Sequence, residues 1–225
     1  MPVHPIPGAS SIARTTWLVL ALFASAAQAQ MVGARVVAVD INHPRIGGLL
    51  GAALAAEAPL GDGRWVLTFG LERTTDGSDD IGIACGSLSP PGTCPSEPVR
   101  NHASASTVSM GVGGVVVDRR AWAVRLFVDA GISRVTTETR GRTTGNTLSA
   151  AKTMFRGGAG AETSWRPWHR TPVALDAGVS LGFQTPFDSE VLVDAFTPLD
   201  RSSRVVRLWL GASWRPRPRH SQSGG

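Results

Sequence analysis

The chain has 225 residues, 42% of them hydrophobic and 17% charged, and carries a net charge of +5. That length suits one sizeable domain and hardly two, and beyond residue 29 no apolar, charge-free run is long enough for a spanning helix. The positive charge is almost all arginine, with Lys152 the single lysine, and it is scattered except near the C-terminus, so it offers no basic run for nucleic acid.

The first segment reads as a leader. Arg14 is the only formal side-chain charge ahead of the apolar run from Thr15 to Ala29, and Ala27-Gln28-Ala29 is a small-x-small cleavage signal. This predicts a secretory signal peptide over residues 1–29, removed after Ala29, with the apolar run too short to stay as an anchor. A single domain is expected over 30–216 and a disordered tail over 217–225.

Eight segments then alternate with period two, the spacing that sends successive side chains to opposite faces of a strand. In residues 34–42 the alternation is taken to place Val37, Val39 and Ile41 outward and Asp40 inward. In 47–60, Leu50, Leu54 and Leu60 oppose Leu49, Ala53 and Glu57. This Ala-rich run would also fit a helix by itself, but its neighbours argue for a strand. In 64–72, Trp65, Phe69 and Leu71 oppose Thr68, Gly70 and Glu72. In 106–120, Val108, Met110 and Val112 oppose Thr107, Ser109 and Gly111. In 122–133, Trp122, Leu126, Val128 and Ile132 oppose Arg125, Phe127, Asp129 and Gly131. In 154–165, Phe155, Ala159 and Trp165 oppose Arg156, Gly158 and Glu162. In 172–187, Leu175, Val179, Leu181 and Phe183 oppose Asp176, Gly178, Ser180, Gly182 and Gln184. In 204–214, Leu208, Leu210 and Trp214 oppose Arg207 and Trp209.

The second strip of each segment tells which face is inside. It is rich in glycine and carries isolated charges of both signs, where the outer face of a soluble sandwich would carry many Lys, Glu and Thr. Glycine fits a crowded barrel interior, and charges of mixed sign can pair there while lipid lies outside. Trp65, Trp122, Trp165, Trp168 and Trp214 sit at the short-turn ends, as an interfacial aromatic girdle requires. Long segments at roughly 78–105, 141–150 and 188–202 alternate with those short turns. The expected fold class is all-β: a closed up-and-down antiparallel transmembrane β-barrel of eight strands, filled by side chains rather than open as a pore.

The pattern of residues 33–216 resembles the small outer-membrane β-barrel proteins of Gram-negative bacteria, the OmpA-transmembrane-domain and OmpX class. The last segment, "RVVRLWLGASW", resembles the aromatic-ended C-terminal assembly signal of that class, departing from it in that "RPRPRHSQSGG" follows. The resemblance implies an outer-membrane location, contact with outer-membrane lipid and lipopolysaccharide, passage through the barrel assembly machinery, and a monomer. It implies a non-enzymatic structural or surface-interaction role through the loops.

Few residues point to chemistry. Cys85 and Cys94 in "CGSLSPPGTC" predict a disulfide closing a small loop in an oxidising compartment. Asp76, Asp79 and Asp80 could hold Ca²⁺, but no full loop motif accompanies them, and a solvated acidic loop is the reading taken. His102 and Ser104 in "NHASAS" share a strand face, as a base and nucleophile would. They raise a lipid A acyl-ester hydrolase as an alternative, without the wider signatures of one. A soluble periplasmic barrel binding an apolar ligand is the other alternative, and needs the apolar strips turned inward. No catalytic residue, cofactor or metal site is assigned.

Overall fold

The computed structural model describes residues 31–42, 47–61, 64–76, 80–84, 97–119, 121–142, 145, 147–167, 171–186 and 202–215. The strands are β1 Met31–Ile41, β2 Gly47–Leu60, β3 Trp65–Asp76, β4 Asp80–Ala84, β5 Glu97–Asp118, β6 Trp122–Gly141, β7 Thr147–Trp165, β8 Val173–Pro186 and β9 Ser203–Trp214. All pairings are antiparallel between neighbours, and β1 pairs β9 from Val32↔Trp214 to Ile41↔Val205, which closes the sheet. β3 pairs residues 104–114 of β5, and the short β4 pairs residues 97–101 of the same strand. β4 therefore continues the place of β3, and the barrel has eight strands around.

The two strips are inverted relative to a soluble protein. Leu210 is 68% exposed, Leu181 64% and Val128 60%, whereas Glu162 and Asp176 are each 3% exposed. Asp176, Ser180 and Gln184 of β8 are buried, and Leu175, Val179, Leu181 and Phe183 stand outside. A barrel with its apolar strips inward is not what this chain forms. On β6 the apolar exterior runs from Trp122 to Ile132. Ten steps of about 3.3 Å, tilted by about 40°, give a band roughly 25 Å tall, the height of a hydrocarbon core crossed by a barrel. Trp65, Trp122, Trp165 and Trp214 are exposed at its turn end. Trp168 lies outside the described residues.

Three strands outgrow this band. β5, β6 and β7 have 22, 20 and 19 residues, so they project roughly 20 Å past Ile132 at the loop end. There the polarity returns to that of a soluble protein. Val37, Val39, Ile41, Leu49, Ala103, Ala105, Val135, Met154 and Val205 form a buried apolar cluster inside, and Arg134, Glu138 and Arg140 are exposed outside.

Two expectations are corrected. Val37, Val39 and Ile41 face inward and Asp40 outward, because β1 crosses from one regime to the other at Val36/Val37. Val32 and Val36 are exposed, and Val37 is buried. Residues 97–105 and 147–150, read as loop, are strand, paired in register as far as Val99↔Gly141 and Arg140↔Thr147.

Candidate functional site

The interior of the band is filled by one charge network. Arg125 sits between two carboxylates, donating from Nη2 to Glu57 Oε1 and, at 2.7 Å, to Glu162 Oε1. Arg35 adds a 2.7 Å ion pair to Glu162 Oε2. Nearer the loop end, Arg156 donates to Glu72 at 2.9 Å and Arg207 to Asp129 at 2.6 Å, with a longer 3.4 Å contact from Arg207 to Glu72. At the turn end Ser164 donates to Asp176 at 2.6 Å, and Arg215 reaches the same pair, 2.9 Å from Ser164 Oγ and 3.8 Å from Asp176 Oδ1. Five guanidinium groups thus face five carboxylates and cancel them. Such charges are tolerable away from bulk water only when paired in this way.

Trp209 is the hub. Its Nε1 donates to Glu162 Oε2 at 3.1 Å, its ring packs 5.6 Å from Phe127, and the guanidiniums of Arg35 and Arg207 lie 5.6 and 5.1 Å from its centre. Those distances are within the range of cation–π attraction. Gly178 is needed opposite it, because a Cβ there would fall 2.2 Å from Trp209 Cζ2. A void of about 50 Å³ remains among Arg35, Glu72, Arg125, Asp129 and Trp209, room for a few waters and not for a solute path. The apolar cluster caps the network from the loop end.

The network is legible in the sequence as inward charges, with two exceptions. Arg215, which follows the last alternating segment, turns in to seal the turn end. Arg35 belongs inside, and its parity with Val37 and Val39 is the signal for the true face of β1.

His102 and Ser104 lie outside the barrel, on β5 above the band, as their shared parity predicts. The structure adds a carboxylate: His102 Nδ1 is 2.5 Å from Asp76 Oδ1. His102 Nε2 is 3.2 Å from Thr75 Oγ1, while Asp76 Oδ2 accepts from the Ala103 N–H at 2.8 Å. Thr75, the register partner of Ser104, therefore takes the place a nucleophilic serine would need. The imidazole, half exposed, ties β3 to β5 rather than activating Ser104. Cys85, Cys94 and Asp79 lie outside the described residues, as do residues 1–30 and 216–225. No group of three potential metal ligands occurs among the described residues.

At the tip of the projection Arg100 stands opposite Arg140 in the β5–β6 ladder, with Arg142 beside them. Together they line an open depression of about 500 Å³.

No protein-family model matches the chain, and no curated protein matches it. Solved structures do. A major outer membrane protein from Thermus thermophilus superposes with a TM-score of 0.50 at 15% identity, covering 81% of this chain and 98% of that one. Ail, the attachment invasion locus protein of Yersinia pestis, solved with the heparin analogue sucrose octasulfate, gives 0.47 at 15% over 82% and 94%. The N-terminal barrel domain of Pseudomonas aeruginosa OprF gives 0.45 at 13% over 83% and 98%. At these identities the likeness is one of fold: the chain folds as the small outer-membrane β-barrels do.

Proposed function

We propose that this is a non-enzymatic outer-membrane β-barrel of a Gram-negative cell, exported through a signal peptide cleaved after Ala29, that presents a folded surface beyond the membrane for interaction. In this reading the turn end is periplasmic and the loop end extracellular. Outer-membrane lipid and lipopolysaccharide surround the belt, β9 supplies the signal read by the assembly machinery, and the barrel is a monomer. A disulfide between Cys85 and Cys94 closes the loop after β4.

The observation that carries the reading is the change of exterior halfway along unbroken strands. Leu126, Val128 and Ile132 of β6 are exposed apolar residues, and Arg134, Glu138 and Arg140 follow on the same face. A sheet that served only as an anchor would have no need to keep its pairing past the hydrocarbon. The filled interior argues against transport, and the Arg100–Arg140–Arg142 rim favours an acidic partner.

The test begins with fractionation and gel mobility before and after boiling. Recovery in the outer membrane with a boiling-dependent shift is expected. Cysteine placed at Arg140 should then react with an impermeant maleimide on whole cells, and cysteine placed at Arg166 should not. Cells making a form whose β5–β6 and β6–β7 hairpins stop near residues 104, 136 and 151 should keep the shift but lose adhesion to an anionic surface such as heparin-coated beads. Unchanged adhesion would leave a structural role only.

A further inference from the structure

Arg73 of β3, Ser106 of β5 and Arg134 of β6 are register partners in one row across three adjacent strands, Arg73↔Ser106 and Ser106↔Arg134. All three face outward and are exposed. The outward row immediately towards the turn end is Leu71, Val108 and Ile132, exposed and apolar. The two arginines are therefore the first polar outward residues past the edge of the apolar belt on their strands.

What surrounds them sharpens the point. Ala52 and Thr153 continue the row on either side, and Thr75, Ser104 and Thr136 form the next row out. Glu72, next to Arg73, faces inward and is paired with Arg156 and Arg207; the next carboxylates on those strands are Asp76, held by Ala103 N–H and His102, and Glu138, two outward rows away opposite His102. Neither Arg73 nor Arg134 has an ion pair or side-chain hydrogen bond among the described residues, whereas the arginines of the interior network are all paired. Strands lie about 4.8 Å apart, so the two arginine backbones are roughly 10 Å apart with the Ser106 hydroxyl between them. Guanidinium groups can close that span from both sides onto one tetrahedral anion, each offering a two-pronged set of donors.

We propose that Arg73, Ser106 and Arg134 seat the phosphate group of an outer-leaflet lipid whose acyl chains lie down the belt over Leu71, Val108, Met110, Val128 and Ile132. The proposal rests on the outer-membrane reading for which leaflet this row meets. The chemistry recognised is a phosphate monoester or diester joined to hydrocarbon, placed where charge and apolar surface abut.

The test uses the full-length protein refolded in neutral detergent, which needs no assumption about location. Diphosphoryl lipid A, dephosphorylated lipid A, phosphatidylglycerol and inorganic phosphate are each titrated while the unfolding midpoint and the bound lipid phosphorus are read. Diphosphoryl lipid A is expected to bind at least tenfold more tightly to the native protein than to the Arg73→Gln/Arg134→Gln variant. Dephosphorylated lipid A should bind both equally weakly. Arg204→Gln, at an exposed outward arginine on β9, should bind as the native protein does, and Arg73→Lys/Arg134→Lys should fall between. Equal binding of diphosphoryl lipid A by native and double-Gln protein would overturn the site. Full competition by millimolar inorganic phosphate would overturn its assignment to a lipid. Tighter binding of phosphatidylglycerol than of diphosphoryl lipid A would keep the phosphate seat and change the lipid. A protein found in the soluble fraction of cells, with this binding intact, would instead sink the outer-membrane reading and leave the seat standing.

Discussion

The two halves of this barrel are built from the same strands under opposite rules. In the belt half, Leu126, Val128 and Leu210 are outside and Arg125, Glu162 and Asp176 inside. In the projecting half, Val135, Met154 and Leu49 are inside and Arg134, Glu138 and Arg140 outside. The backbone does not register the change, because the ladder is satisfied strand to strand in either solvent. Side chains alone carry the adaptation. In one half paired charges offset the cost of their burial, and in the other apolar area is withdrawn from water. A sheet can thus pass from lipid to water with no break in pairing, provided each strand exchanges its strips near the boundary.

The comparison is broken most severely at Arg125. Replacing it by Met leaves buried Glu57 with only a 3.8 Å contact to Arg35 and takes from Glu162 one of its two cations, and should cost about 3–5 kcal/mol in urea unfolding from lipid vesicles. Adding Glu57→Gln and Glu162→Gln should restore much of the loss. A single substitution can also be set against itself across the boundary. Val128→Arg, outward within the belt, should cost about 2–4 kcal/mol, whereas Thr136→Arg, outward on the same strand eight residues on, should change stability by less than about 0.5 kcal/mol. Equal costs would mean that both positions meet the same solvent. Leu49→Ala, inside the projecting half, should cost about 2–3 kcal/mol. Its loss should be local: hydrogen exchange should quicken in residues 97–105 and 134–141 while the boiling-dependent shift survives. The smallest effect is expected at His102→Ala. Its exposed pairing with Asp76 is worth less than about 1 kcal/mol, and release of acyl chains from lipid A should be the same with either residue.

How much of this is legible depends on the solvent a segment meets. Where a strand stays within the belt, as in β8 and the first part of β6, one apolar strip persists and period two identifies both faces correctly. Where it crosses, the strip changes sides, and Val37, Val39 and Ile41 mislead while Arg35 tells the truth. In the part of β5 that projects, the pattern fades because neither face carries a large apolar side chain over residues 100–106. Ala103 and Ala105 bury only small side chains, and "NHASAS" shows no more than the start of a strand. Cross-strand register is a tertiary property, so neither the Asp76–His102 contact nor the Arg73–Ser106–Arg134 row can be read from spacing along one segment.

The last strand also sets an order of events. β9 brings Arg207 to Asp129 and Glu72, Trp209 to Glu162, and in the residue after it Arg215 to Asp176 and Ser164. Until β9 is in place, acidic groups contributed by four earlier strands lack part of their complement. Joining β9 to β1 completes the hydrogen-bonded cylinder and discharges its interior in one act. Without residues 203–215 the same interior would hold Glu57, Glu72, Asp129, Glu162 and Asp176 against Arg35, Arg125 and Arg156 alone, so closing the wall and balancing the charge within it are a single step.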